Sequence, residues 1–270
     1  MNLHIHFLDP YQPGDSLLHS LDARVKLPLV VTFILTIALL PWGAWPAYLI
    51  AASFILSAVI LSSLGFKYVL SRAALAIPFV MAALPVIFTT PGQPVITILP
   101  DSWRLNITSP GLELFVSIAF KSWIAVQSAI LLAATTPFPD LLIAMRALQM
   151  PRLLVAIFAL MWRYLFVLGD EALRLIRARA ARSGHAERSG LQAGGSLAWR
   201  GRIAGGMAGS LFIRSLERSD RIYNAMLARG YDGEVRSLPL PSLKSTDLVI
   251  LVTGCLVMIG LLGLAFLLNA

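Results

Sequence analysis

The stretch PRLLVAIFALMWRYLFVL, residues 151–168, decides how the rest of the chain is read. It is apolar and close to the ~20 residues that a bilayer-spanning helix needs. Counted as a span, it would place residues 170–245, with 13 basic side chains, on the outer side. Counted as a helix on or below the inner membrane face, it keeps them in the cytoplasm, where Lys and Arg accumulate. Arg163 near its middle also argues against lipid exposure, because a charge at the bilayer centre costs ~2.5–3.5 kcal/mol on insertion scales. The second reading is therefore adopted.

The charge distribution supports it. Residues 137–245 carry 16 of the 22 basic and 8 of the 14 acidic residues, so the whole excess of +8 sits in one internal segment. The remainder of the chain is neutral overall. A basic block between apolar spans is what the positive-inside bias produces. The segment lacks zinc-finger spacing and the aromatic-on-strand pattern of RNA-binding modules, so no nucleic-acid partner is expected. Across 270 residues, 57 % are hydrophobic and 13 % charged, against ~45–50 % and ~25 % in soluble domains. With a mean hydropathy of +0.77, a disordered chain, a coiled coil and an ordinary cytosolic enzyme are excluded. Cys255 is the single cysteine, so disulfide frameworks and cysteine metal sites are excluded too.

Working outward, five spans are expected: 27–40, 47–64, 73–89, 112–135 and 248–268. Asp22 caps the first. Residues 41–46 form a turn with two interfacial tryptophans, Trp42 and Trp45. Lys67 and Arg72 mark the next loop, Pro78 and Pro85 should kink the third span, and residues 91–110 read as a polar loop. Lys121 in the fourth span reads as a snorkelling lysine. No secretory signal is expected, since the first apolar block follows an acidic, His-containing lead. The N-terminus is then cytoplasmic. The domains read as 1–136, a four-helix membrane domain; 137–245, a cytoplasmic domain; and 246–270, the last transmembrane helix.

Within the basic segment, residues 139–150 suit a short amphipathic helix. A long helix runs 151–183 and stops at Ser183-Gly184; after a Gly/Ser-rich linker at 184–198, a second runs from about 199 to 229 and stops at Gly230. On the second, Phe212, Leu216, Tyr223 and Leu227 share one face, expected to pack on something apolar, while Arg214, Arg218, Arg221 and Arg229 lie opposite, facing water or an acidic partner. Gly201, Gly205 and Gly209 form a smooth stripe at which the two long helices are expected to cross as an X. Each helix ends alike, in Ala181-Arg182-Ser183 and Ala228-Arg229-Gly230. Basic residues there suit the macrodipole. An arginine between small residues also suits docking, because the guanidinium reaches an acceptor cluster while the backbone approaches closely.

These residues resemble a known family. RSLERSDRIYNAMLARGYDG, residues 214–233, resembles the signature of CbiQ, the transmembrane T component of cobalt-type energy-coupling-factor (ECF) transporters. LDARVKL, residues 21–27, resembles the family's N-terminal Asp-Pro-Arg-Val-Lys motif, with Ala23 in place of proline. Arg163-Tyr164 and Glu171 also fit its first long helix. The first tip has Ser183 where the broader family has glycine, as cobalt-type members do. The resemblance implies an all-α integral membrane protein of about five transmembrane helices, with two long crossing coupling helices in the cytoplasm. It implies a non-catalytic subunit that binds no cofactor directly, ATP being used by two partner CbiO-like ATPases. Arg182 and Arg229, with their small neighbours Ala181, Ser183, Ala228 and Gly230, would dock into those ATPases. A CbiM-like substrate-binding S component, with or without a CbiN-like subunit, would be the membrane partner. Cobalt is the substrate that the signature favours, with nickel or a vitamin as alternatives, in the plasma membrane of a prokaryote.

Two readings from other classes are weaker. A secondary transporter or channel would need facing ionisable groups near mid-membrane, and Lys121 with Glu113 is thin support. A metalloenzyme would need at least three placed ligands. His4, His6 and Asp9 form a possible trio but sit in the polar N-terminal lead, and His19 and His185 have no ligand spacing. No metal site is expected.

Overall fold

The computed structural model describes residues 10–92, 94–97, 106–182, 196–233 and 242–269. They divide into two compact units, 1–148 with 240–270, and 149–239.

The first unit is built on four long helices and several short ones. Ser16 caps the four-residue helix α1, Leu17–Ser20. Asp22 accepts a hydrogen bond from the Arg24 amide at 2.8 Å and so starts α2, Ala23–Leu39. A turn with Gly43 at φ +81° leads to α3, Trp45–Ser62, which begins with a proline in its first turn. The next run is segmented: α4, Phe66–Arg72; a 3-10 turn, Ala73–Ala76; α5, Ile77–Ala83; and α6, Val86–Thr89. Pro78 opens α5 and Pro85 caps α6, as kinks at those positions require. Lys67 and Arg72 lie in α4, not in the expected loop, and Arg72 stacks over the Tyr68 ring at 4.3 Å.

The expected polar loop contains an antiparallel hairpin of β1, Pro94–Thr97, and β2, Asn106–Thr108, with an irregular register after Pro94. Thr108 caps α7, Ser109–Thr135. Gly111 is obligatory there: a Cβ would lie 2.7 Å from both the Ile87 carbonyl oxygen and Thr108 Oγ1. The short helix α8, Phe138–Ala147, packs on α2. It therefore belongs with the first unit, although sequence charge grouped it with the basic segment. The last helix, α11, Ser245–Asn269, crosses α2 where Leu29 sits on Gly254, 2.5 Å from where a Cβ would be.

The core lies where α2, α3, α7 and α11 converge, around Ile37, Tyr48, Ile124, Leu131 and Ala265. The Tyr48 hydroxyl donates to the Pro41 carbonyl at 2.7 Å, so its polar tip is satisfied inside. Outward faces are apolar: Leu49, Ile60 and Ile259 are each about two-thirds exposed. A soluble surface does not carry such belts, and helices satisfying their own backbone are what a bilayer admits.

Two lysines bind α2 to α7. Lys26, itself 7 % exposed, donates to the Thr135 carbonyl at 3.1 Å and to Thr136 Oγ1 at 3.3 Å, at the C-terminus of α7. Lys121 donates to the Leu40 carbonyl at the C-terminus of α2. Each helix thus supplies an ammonium to the other's unsatisfied carbonyl end, where the macrodipole favours positive charge. Lys121 is turned into the protein and does not snorkel outward as the sequence suggested.

Among the described residues, five helical runs are long and apolar enough to cross a membrane: Trp45–Ser62, Phe66–Thr89, Ser109–Thr135, Arg152–Arg182 and Ser245–Leu268. The number matches the expectation but the set differs. The first expected span is the 17-residue α2, about 26 Å at 1.5 Å per residue, near the short limit for a ~30 Å hydrocarbon layer. The run Arg152–Arg182 qualifies by length and composition.

The second unit is a pair of long helices, α9, Arg152–Arg182, and α10, Leu197–Ala228. Ser196 caps α10 by accepting from the Trp199 amide at 3.3 Å. Ala156 is the one buried residue of α9, and α10 has none. A helix pair so little buried gains little stability from its own packing, and its apolar faces stay largely exposed.

Candidate functional site

The two helices touch along one line. Arg214 Nη1 bonds Glu171 Oε1 at 2.9 Å. Arg174 stands 3.9 Å from the same carboxylate. Towards the linker, the Arg179 guanidinium lies 5.8 Å from the Trp199 ring centre. On the other side of the ion pair, the helices flank a groove of about 470 Å³, with Ile157, Met161 and Tyr164 on α9 facing Arg218, Ile222 and Met226 on α10.

This geometry corrects two readings. The face of α10 turned to α9 is the Ser215–Arg218–Ile222–Met226 row, so Arg218 lines the groove against α9, while Arg214, about half exposed, pairs with Glu171 of that helix. Phe212, Leu216 and Leu227, expected to be packed, stay 63 %, 51 % and 47 % exposed. Tyr223 is about half exposed but also lines the groove. An apolar stripe tells which face wants covering, but not whether the cover lies in the same chain.

The second correction concerns the glycines. A Cβ placed on Gly201, Gly205 or Gly209 would meet nothing within 4 Å. Among the described residues the helices therefore do not cross at that stripe; their contact lies at Glu171–Arg214 and the groove. Charge pairing and the longer side chains on the Arg218 row outweigh the close approach that small residues permit. Close glycine contacts occur instead at Gly254 and Gly111, in the first unit.

The described residues of both helix tips are exposed. Ala181 and Arg182 end α9, both exposed. Ser183, the last residue of that tip, lies outside the described residues. At the other tip, Ala228 is the last residue of α10 and Arg229 its C-cap, both exposed. The Gly230 amide donates to the Leu227 carbonyl at 2.9 Å and the Tyr231 amide to the Met226 carbonyl at 3.0 Å. That pair of bonds is a Schellman cap, and Gly230 at φ +78° supplies the left-handed residue it needs. Tyr231 lines the groove beside Met226, the apolar contact that accompanies this cap. The cap thus fixes Arg229 at the very end of a rigid helix. Neither the Arg182 nor the Arg229 guanidinium has an acceptor among the described residues.

Sequence reading missed the Glu171–Arg214 pair, whose partners lie 43 positions apart. It also missed the reciprocal lysines. Lys26 was noticed only as part of a motif, although a lysine opening an apolar helix already hints at a buried acceptor. Among the described residues, no group of three or more His, Cys, Asp or Glu could hold a metal. His4, His6, Asp9 and His185 lie outside them.

Multiple apolar helices with outward apolar belts define a multi-pass α-helical membrane protein carrying a separate basic helix pair. The family model for CbiQ, cobalt transport protein, matches residues 14–239, and the chain belongs to that family. It is similar to the energy-coupling factor transporter transmembrane protein EcfT of Ruminiclostridium cellulolyticum, 27 % identical over 90 % of each chain. The cobalt transport protein CbiQ of Rhodobacter capsulatus is 29 % identical over 67 % of this chain and 70 % of its own. A putative fused cobalt transport protein CbiMQ of Methanocorpusculum labreanum is 27 % identical over 84 % of this chain and 37 % of its own length.

Proposed function

We infer that this chain is the T component of an ECF-type importer, coupling two ATP-hydrolysing subunits to a substrate-binding membrane subunit, with cobalt(II) as cargo. Family membership supports the role. The observation that carries the coupling assignment is the pair of exposed arginines, without acceptors among the described residues, at the C-terminal ends of two long helices, one of them set by a Schellman cap. Each arginine enters a groove of one ATPase and meets carboxylate or carbonyl acceptors, the bidentate geometry for which guanidinium is suited.

The helices act as stiff arms. Arg182 lies 11 positions beyond Glu171, and Arg229 lies 15 beyond Arg214, so the tips stand about 16 and 22 Å along their helices from the ion pair. That pair is half exposed on the arginine side, and such contacts contribute only ~0.2–1 kcal/mol. It works as a pivot weak enough to let the arms change angle when the ATPases close. ATP is bound and hydrolysed by the partners. The fused CbiMQ relative supports a CbiM-like membrane partner.

The membrane is the plasma membrane of a prokaryote, with residues 137–245 and the N-terminus cytoplasmic. The +8 excess and Arg163 support that side for α9 despite its apolar first half. Cysteines introduced at Ser189 and Ser237, with Cys255 replaced by alanine, should react with membrane-impermeant maleimide only after the cells are opened. Reaction in intact cells would reverse the topology. The cargo is checked by radiolabelled cobalt uptake in cells with the full transporter and with this gene deleted. Uptake should fall to background on deletion and return with the gene; unchanged uptake would remove cobalt as the cargo.

A further inference from the structure

We propose that the groove between α9 and α10 binds one anionic phospholipid, its phosphate on Arg218 and its acyl chain along the apolar side chains of α9. The groove holds about 470 Å³; Leu153, Ile157 and Met161 line its apolar wall, and Arg218, Ser219 and Tyr223 its polar one. Arg218 Nη1 is sealed from solvent and has no acceptor among the described residues. The neighbouring cations are accounted for: Arg214 is bonded to Glu171, and Arg179 lies over Trp199. No acidic side chain lines the groove.

Arg218 is only partly buried, but leaving its sealed Nη1 without an acceptor is costly, so a ligand that fills the groove gains by bringing acceptor oxygens. The apolar wall requires that it also bring a hydrocarbon body. A phosphodiester meets the first need with several acceptors, within the same wall as the Ser219 and Tyr223 hydroxyls, and an acyl chain meets the second. The basic excess of the segment favours an anionic head group over a zwitterionic one.

The test uses the full chain, purified in detergent and stripped of lipid, titrated with phosphatidylglycerol, phosphatidylcholine or inorganic phosphate, with bound lipid counted by native mass spectrometry. One phosphatidylglycerol should bind per chain, at least tenfold tighter than phosphatidylcholine, and millimolar phosphate should not displace it. Arg218→Gln should weaken binding at least tenfold, and Arg218→Lys less. Ile157→Trp, which fills the apolar wall and leaves the charge, should also weaken it, while the exposed Arg221→Gln should not. If Arg218→Gln does not fold, Ile157→Trp and Arg218→Lys decide. Equal binding of the two lipids, displacement by phosphate alone, or wild-type binding by the decisive variants would overturn the proposal. So would unchanged lipid binding accompanied by loss of a co-purifying membrane subunit, which would give the groove to a protein.

Discussion

The double variant Arg182→Ala/Arg229→Ala should lose co-purification with the partner ATPases and lose transport, while still inserting and folding. Both side chains are exposed and have no acceptor among the described residues, so their removal strands none of those. At an interface, truncating one side of a buried charged hydrogen bond costs ~2–5 kcal/mol, much of it from the partner group left unpaired. One lost tip should therefore weaken association by roughly 30-fold or more at ~1.4 kcal/mol per factor of ten. Losing both removes the shared effective concentration that two sites on one unit provide, so the double variant should fall much further than either single one. Lysine at either position should rescue only in part, since it lacks the planar fork. The measurement is ATPase co-purification and transport at matched expression. Wild-type values for the double variant would reduce both arginines to macrodipole partners and remove the coupling assignment.

Replacing Lys26 and Lys121 by methionine should destabilise the membrane unit through the opposite logic, by stranding acceptors inside it. Lys26→Met leaves the Thr135 carbonyl and Thr136 Oγ1 without their ammonium; both residues are 2 % exposed. Lys121→Met does the same to Leu40, also 2 % exposed. Hydrogen bonds to charged groups contribute ~1.5–3 kcal/mol, and a stranded acceptor costs ~1–3 kcal/mol. Each variant should lower stability by about 2 kcal/mol on that basis. The two clamps sit at opposite ends of the α2–α7 pair, 14 residues apart on each helix, or ~21 Å. Their effects should add to within ~0.5 kcal/mol. Thermal melts in detergent read this directly. Wild-type midpoints for both single variants would mean that the carbonyls find other donors, and the reciprocal clamp would contribute nothing.

The legible parts of this protein were those written in composition and local spacing. The apolar blocks announced a membrane protein, because a ~20-residue stretch without charge has few other stable places. Asp22, Pro78, Pro85 and Gly230 marked helix starts, breaks and stops, since capping oxygens, missing amides and positive φ act on the few residues beside them. Residues 214–233 and 21–27 were enough to indicate the family.

What periodicity left open were the partners of each face. Gly201, Gly205 and Gly209 repeat every four residues, yet Gly254 and Gly111 have the close neighbours. Arg218 sat opposite the apolar stripe, yet it lines the groove against α9. Lys121 in an apolar run looked like a snorkelling side chain, yet it closes the end of α2. By itself, then, the sequence determined the class, the element boundaries near strong caps and prolines, and the two arginine tips. Only the tertiary structure decided which helix faces meet, which charged pair joins the two long helices and which carbonyls the two lysines satisfy. The physical reason is distance along the chain: Glu171 and Arg214, or Lys26 and Thr135, are paired by the packing of whole helices, and no local propensity encodes which remote acceptor a side chain will find.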